Sequence, residues 1–305
     1  VIVALIDSGL GLVPTAAWLR RLRPELDLML LTDPDHAPWG PRPTDWVIDT
    51  VVGTARRAVA AGASVVVIPC NTASVTALDE TRAALEPAVP VIGTVPAIKP
   101  AAAAHREIAV WATATTTASA YQANLIAQFA GDTTVTAIAC HGLADAVDAG
   151  DHTAIDAAIA DAAARTPDTV EAIVLGCTHY PLVADRIAAR MGPDVLLYDS
   201  AEAVARQTLR RIDRITSGAA DRIASAAGAD RIAAAAGADR IASAVVGDRI
   251  SPAAAVDRID PAAAIGGVPG RIDVIASGRP ASLPAAAAHF ADGRQLLAAD
   301  RASTV

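Results

Sequence analysis

Apolar residues come in short bursts over the first two thirds of the chain, with longer mixed stretches between them. The bursts are 2–6 (IVALI), 28–31 (LMLL), 65–69 (VVVIP), 90–94 (PVIGT), 108–112 (IAVWA), 135–139 (VTAIA), 172–176 (AIVLG) and 195–198 (VLLY). They have the length of buried strands and are rich in Val, Ile and Leu. The stretches 51–61, 77–85, 153–164 and 184–191 between them are rich in Ala and Arg and predict helices. Strands alternating with helices imply βαβ units and a mostly parallel sheet. The loop from Val95 to Pro100 divides this region into halves of about 95 and 110 residues. The expected fold class is therefore α/β, with two pseudo-symmetric, doubly wound parallel-sheet domains and the active site in the cleft between them.

The pattern changes from about residue 213. Asp-Arg-Ile recurs at Asp221, Asp230, Asp239, Asp248 and Asp257, nine residues apart, with mostly Ala, Gly and Ser between. Nine residues make two and a half helical turns, so the isoleucines alternate faces and form no single stripe. The repeat partly resembles a calcium-binding nonapeptide, but its paired glycines are replaced by Ser225-Ala226 and Ala234-Ala235. Residues 213–265 read as a low-complexity insertion, disordered or loosely helical. Order resumes at Arg271 with a last strand and a helix from Phe290 to Leu297. The expected division is 1–96 plus 271–297 as one domain, 97–210 as the other, and 213–265 as the insertion.

Composition narrows the class. The 305 residues are 53% apolar and carry a net charge of −8, which argues for a globular protein and against a nucleic-acid surface. Three cysteines are too few and too scattered for a disulfide framework, so a reducing compartment, the cytoplasm, is expected. The opening apolar run is too short for a signal segment, and no run has the length of a membrane helix. The chain opens on Val1, so a few residues are expected ahead of it. Lys99 is the only lysine, and nothing phosphate-binding accompanies it, so no pyridoxal-phosphate Schiff base is expected. No short Cys-x-x-Cys or His-x-x-x-His spacing supports a zinc site. No cofactor and no metal are expected.

Two of the cysteines follow strand-like runs: Val65 to Pro69 leads into Cys70-Asn71-Thr72, and Ala172 to Gly176 into Cys177-Thr178-His179. Ligands of open parallel sheets bind beyond the carboxyl ends of the strands. Two thiols in equivalent places suit a reaction that removes a proton from one face of a carbon and returns one to the other. A thiol fits because its ordinary pKa of ~8.5 lets either protonation state be reached by tuning. Cys140, His36, His105, His141, His152 and His289 have no such flanks and read as core or surface residues. Other segments at strand ends are Asp7-Ser8-Gly9-Leu10-Gly11, Thr113 to Thr117, and Asp199-Ser200, with Pro38-Trp39-Gly40 in a loop.

Asp-Ser-Gly-x-Gly, Pro-aromatic-Gly, Cys-Asn-Thr-Ala, Val-Pro-Ala-Ile-Lys-Pro-Ala and Gly-Cys-Thr-His-Tyr-Pro occur in the order and near the spacing of the glutamate racemases. The chain resembles that family, within the cofactor-independent aspartate/glutamate racemase superfamily, over residues 1 to about 210 and again near 271–297. The resemblance implies a two-base mechanism in which Cys70 serves D-glutamate and Cys177 L-glutamate. It implies that Asp7 assists the first thiol and His179 the second. Asp148 falls where the family has a glutamate that supports the histidine. It implies substrate contacts from Asp7, Ser8, Pro38, Trp39, Gly40, Asn71, Thr72, Thr113, Thr115, Thr178 and His179. Trp39 replaces the usual tyrosine, Leu12 the second glycine of a Gly-Gly pair, and Asp148 is one methylene short.

The implied activity is interconversion of L- and D-glutamate for peptidoglycan in a bacterial cytoplasm. The alternatives are a related racemase of aspartate or another amino acid, and a non-catalytic binder on the same fold. Family analogy alone suggests DNA gyrase as a partner of such a binder. A homodimer is compatible with the sequence, and no membrane or direct nucleic-acid partner is expected.

Overall fold

The computed structural model describes residues 1–227, 249–250 and 269–302, with side chains to residue 217 and over 269–299. In chain order, the first part contains β1 (Ile2–Ile6), α1 (Val13–Leu22), β2 (Asp27–Thr32), α2 (Thr44–Ala60), β3 (Val65–Ile68), α3 (Asn71–Leu85), β4 (Val91–Gly93) and α4 (Ile98–Ala104). Then follow β5 (Glu107–Ala112), α5 (Ala114–Thr117), α6 (Ala120–Phe129), β6 (Thr134–Ala139), α7 (Leu143–Ala149), α8 (His152–Ala164), β7 (Ala172–Leu175), α9 (Ala184–Met191) and β8 (Leu196–Tyr198). The long helix α10 (Ala201–Ala227) leads towards the repeats, β9 is Arg249–Ile250, and β10 (Ile272–Ala276), β11 (Arg279–Ala281) and α11 (Ala291–Ala302) close the chain.

These strands form two sheets. The first runs β11-β10-β2-β1-β3-β4, parallel except for the β10–β11 hairpin. The second runs β6-β5-β7-β8-β9, parallel except for β9. The order β2-β1-β3-β4 in one sheet matches β6-β5-β7-β8 in the other, which is the internal pseudo-symmetry expected from the sequence. In each sheet the winding reverses once, between β1 and β3 and between β5 and β7. At such a switch point the flanking loops diverge and leave a crevice beyond the strand ends.

Strand side chains alternate between faces. In β1, Val3 and Leu5 enter one apolar cluster while Ala4 and Ile6 enter another. In β7, Ile173 and Leu175 enter the first cluster while Ala172 and Val174 enter a third. The first cluster spans both sheets, joining Leu5 and Val67 to Trp111 and Leu175. Burial on both faces explains why these strands read as unbroken apolar runs, and each fully buried Val or Leu contributes about 1.5–3 kcal/mol. In α2, Val47, Val51, Ala55 and Ala58 make one inward stripe at helical spacing.

The structure differs from the sequence expectations at several element ends. α3 starts at Asn71, so Asn71 and Thr72 form its first turn, and the helical stretch 77–85 is its later part. α2 starts at Thr44 rather than 51. Lys99, read as a loop residue, lies in α4 with Pro100 in the same first turn, a position where the ring removes no helical hydrogen bond. Phe290 caps a short 3-10 turn and the last helix begins at Ala291. α10 passes through residue 213 and ends at Ala227, and most of the repeat region lies outside the described residues. No described helix is long and apolar enough to cross a membrane.

Candidate active site

The four strands at the two switch points each deliver a polar or thiol residue at their carboxyl end. Asp7 follows β1, Cys70 follows β3, Thr113 follows β5 and Cys177 lies just beyond β7. Both thiols are free and buried, and both line one cavity of about 190 Å³. From the first sheet's side, Asp7, Ser8, Pro38, Trp39, Gly40, Asn71 and Thr72 share that wall. From the second come Thr113, Thr115, Thr178 and His179. Asp148 stands behind His179 in α7. A larger cavity of about 470 Å³ lies beside α2 and the β10–β11 turn, with Asp33 in its wall, and neither thiol lines it.

Each thiol has its own ionisable neighbour. Beside Cys70 lies Asp7, fully buried, whose pKa is raised to about 6. Burial is the main cause and the Asp148 charge adds to it, while His179 and hydrogen bonds from Cys70 and the Ser8 N–H oppose it. Burial and the neighbouring Asp7 charge push the Cys70 thiol well above its ordinary value, against a hydrogen bond from the Ala73 N–H. Cys70 occupies the N-cap of α3 without a side-chain oxygen to offer, so that first turn faces the cavity.

On the opposite side the Cys177 sulfur is 3.7 Å from His179 Nδ1. His179 Nε2 lies 3.1 Å from both carboxylate oxygens of Asp148. Burial alone would lower the histidine pKa, but the Asp148 charge and hydrogen bond raise it well above the ordinary value. Asp148 in turn is held below the usual carboxylate range: burial opposes this, and His179 and the Leu10 N–H outweigh it. Leu10 donates its N–H to Asp148 Oδ1 at 2.7 Å. The shorter acid thus reaches the imidazole because α7 sits close against the Gly9–Gly11 loop. A methyl group at Gly9 would collide with the Asp148 carboxylate, and one at Gly11 with Asp7, Thr178 and His179. The two glycines are there for close approach.

Side chains also tie the two halves across the cavity. Asn71 Nδ2 donates to the Gly176 carbonyl at 2.7 Å, and Thr178 Oγ1 donates to Asp7 Oδ2 at 3.2 Å. Thr113 caps α5 by accepting from the Thr116 N–H. Trp39 is 2% exposed, and its indole N–H donates to Asp33 Oδ2 at 3.1 Å. Three wall residues lack the motif flanks that the sequence offered elsewhere: Cys140, His141 and Asp145. Cys140 is buried as expected, with its thiol pushed up to about 12 by burial, yet it borders the cavity. The signal was its place directly after β6. Among the described residues no three His, Cys, Asp or Glu side chains group to hold a metal ion.

The sequence pattern of the Asp/Glu/Hydantoin racemase family matches residues 16–208. The chain belongs to that family. A glutamate racemase of Pseudomonas entomophila is 36% identical over 216 residues, covering 68% of this chain and 80% of the relative. One from a Roseiflexus species is 37% identical over 213 residues, covering 67% and 77%. The crystal structure of Escherichia coli glutamate racemase with L-glutamate and the activator UDP-MurNAc-ala superposes with a TM-score of 0.63 at 28% identity, covering 68% of this chain and 80% of that one. The Thermus thermophilus enzyme with beta-chloro-D-alanine gives 0.57 at 29% identity, covering 70% and 81%. Within the family, then, this chain is an amino-acid racemase of the glutamate racemase kind with the shared two-domain α/β fold.

Proposed function

We propose that the protein interconverts L- and D-glutamate by direct proton transfer between two cysteines and the substrate Cα. Cys70 removes the α-proton of D-glutamate and Cys177 that of L-glutamate, and in each direction the other thiol donates to the opposite face. The observation that carries this reading is that one cavity has a thiol on each of its two sides, each with a separate acid–base partner. Asp7, near neutrality, relays the proton of Cys70. His179, held by Asp148, does the same for Cys177. Tuning neighbours so that one thiol is charged while the other is not is how one site runs acid and base chemistry together.

The substrate carboxylates need donors. The first-turn N–H groups of α3 at Asn71 and Thr72, the hydroxyls of Ser8, Thr113 and Thr115, and the backbone of Thr178 and of Trp39–Gly40 supply them. The product serves bacterial cell-wall peptidoglycan in the cytoplasm, and the reaction needs no cofactor.

The test is incubation of the pure protein with L-glutamate, after dialysis against a chelator and with no cofactor added. Optical rotation should fall, and in deuterium oxide the product should carry deuterium at Cα. Cys70→Ser and Cys177→Ser should each lower turnover by orders of magnitude, because a hydroxyl is far less acidic than a thiol. Near wild-type turnover in either variant overturns the two-thiol reading. A higher kcat/KM for aspartate overturns the choice of glutamate and leaves the family untouched.

A further inference from the structure

Asp33, at the end of β2, is not a wall residue of the thiol cavity, yet its carboxylate organises one side of it. It accepts from the Trp39 indole N–H at 3.1 Å, from His36 Nδ1 at 2.9 Å and from the Ser277 hydroxyl at 2.8 Å. Its backbone is equally engaged. The Asp33 N–H donates to the Ser8 carbonyl at 3.1 Å, and the Asp33 carbonyl accepts from the His36 and Ala37 N–H groups at 3.1 and 3.0 Å. One residue thus joins the Asp7-Ser8 turn, the Pro38-Trp39-Gly40 loop and the turn between β10 and β11.

An indole N–H only donates, and when buried it needs an acceptor. Trp39 is buried and finds that acceptor in Asp33. A carboxylate with three donors is a stiff anchor, because charge-assisted bonds are short and about twice as strong as neutral ones. The partner side of the anchor is also fixed in shape. Ser277 and Gly278 form the two-residue turn of the β10–β11 hairpin with φ of 46° and 79°, as a type I′ turn requires. The Ser277 N–H bonds the Thr32 carbonyl at 2.8 Å, which seats the turn against the end of β2. Gly40, one residue beyond the anchored indole, faces Thr115 across the cavity.

We infer that Asp33 is a positioning residue for racemisation: by clamping Trp39 to the Ser277 turn, it fixes the Trp39–Gly40 wall, whose backbone is proposed above as a donor to a substrate carboxylate. This rests on the reading of the cavity as a glutamate site. None of the three donors to the Asp33 carboxylate is a thiol or a thiol's acid–base partner, so its loss acts on substrate fit ahead of proton transfer.

The experiment is a double-mutant cycle with Asp33→Asn and Trp39→Phe, read by kinetics and by backbone hydrogen exchange. Asp33→Asn should raise KM for glutamate about tenfold with kcat changed less than about threefold. It should also erode the preference for glutamate over aspartate. Trp39→Phe, which removes the bond that Asp33→Asn weakens, should do the same, and the double variant should be no worse than Trp39→Phe alone. Ser277→Ala should shift KM in the same direction by less. Exchange at residues 36–42 should rise in Asp33→Asn while that at 71–74 stays as in the wild type. Additive effects in the cycle, a fall in kcat at unchanged KM, or unchanged exchange at 36–42 would overturn the proposal. If wild-type protein does not racemise glutamate, the functional reading fails, and hydrogen exchange still decides whether Asp33 clamps the loop.

Discussion

A carboxyl group as deeply buried as Asp7 is a poor anion, and the proposed mechanism depends on that. Its pKa of about 6 lies well above the ~3.9 of an unfolded Asp. The folded state therefore holds the extra proton between pH ~4 and ~6, and stability falls as pH rises across that window. Above it the cost levels off at about 3 kcal/mol, two pKa units at 1.36 each. Asp7→Asn should be more stable than wild type at pH 8, with the difference gone by pH 4, as urea unfolding at the two pH values will show. Activity should run the other way. In the D-glutamate direction, kcat/KM should climb through about pH 6 as Asp7 ionises and becomes able to take the Cys70 proton. The asparagine variant should lack that acid limb. An asparagine variant that keeps the limb, or keeps wild-type activity, would remove Asp7 from the proton path.

At the scale of elements, the site is a set of strand ends, and two glycines let them crowd together. Gly9→Ala should drive Asp148 off both the Leu10 N–H and His179, lowering turnover of L-glutamate at least tenfold with far-UV dichroism unchanged. A fully active variant would show that His179 works without its acid. This crowding also sets what could be read in advance. The parallel strands were legible because burial on both faces makes them continuous apolar runs. The residues directly after β1, β3, β5 and β7 stood out because a thiol, an acid or a hydroxyl follows each run. The helix start at Thr44 was hidden, since a first turn that is mostly polar carries no apolar period. Cys140 was read as a buried apolar residue, and burial does not separate a core thiol from one at a cavity wall. Asp33 was invisible for another reason. Its partners Trp39 and Ser277 are brought together by the β10–β2 pairing, and nothing local announces a contact 244 residues apart.

For the whole molecule, the joint between the two sheets is a continuous apolar cluster stitched by the Asn71–Gly176 and Thr178–Asp7 bonds. Every described residue of that joint lies outside 221–268. α10 belongs to the body as far as its described side chains go: Val204, Thr208 and Ile212 are buried, and Asp213 pairs with Arg23 at 3.0 Å. Replacing 228–268 with a short Gly/Ser linker should therefore leave kcat and KM within about twofold, because loop closure costs only the logarithm of length. Cutting back to 213 should lower the melting temperature as well. A full-length chain whose melting temperature rises with calcium, while the linker version's does not, would give the repeats a binding role.

The place of β10 has one more consequence. It lies beside β2 within the first sheet, yet it is made after every parallel strand of the second. A nascent chain that has reached residue 227 can already close the β6-β5-β7-β8 sheet, while β2 still presents a bare edge to solvent. The half synthesised second is the first able to finish folding, and the half synthesised first must wait, exposed to edge-to-edge association, until the chain comes home.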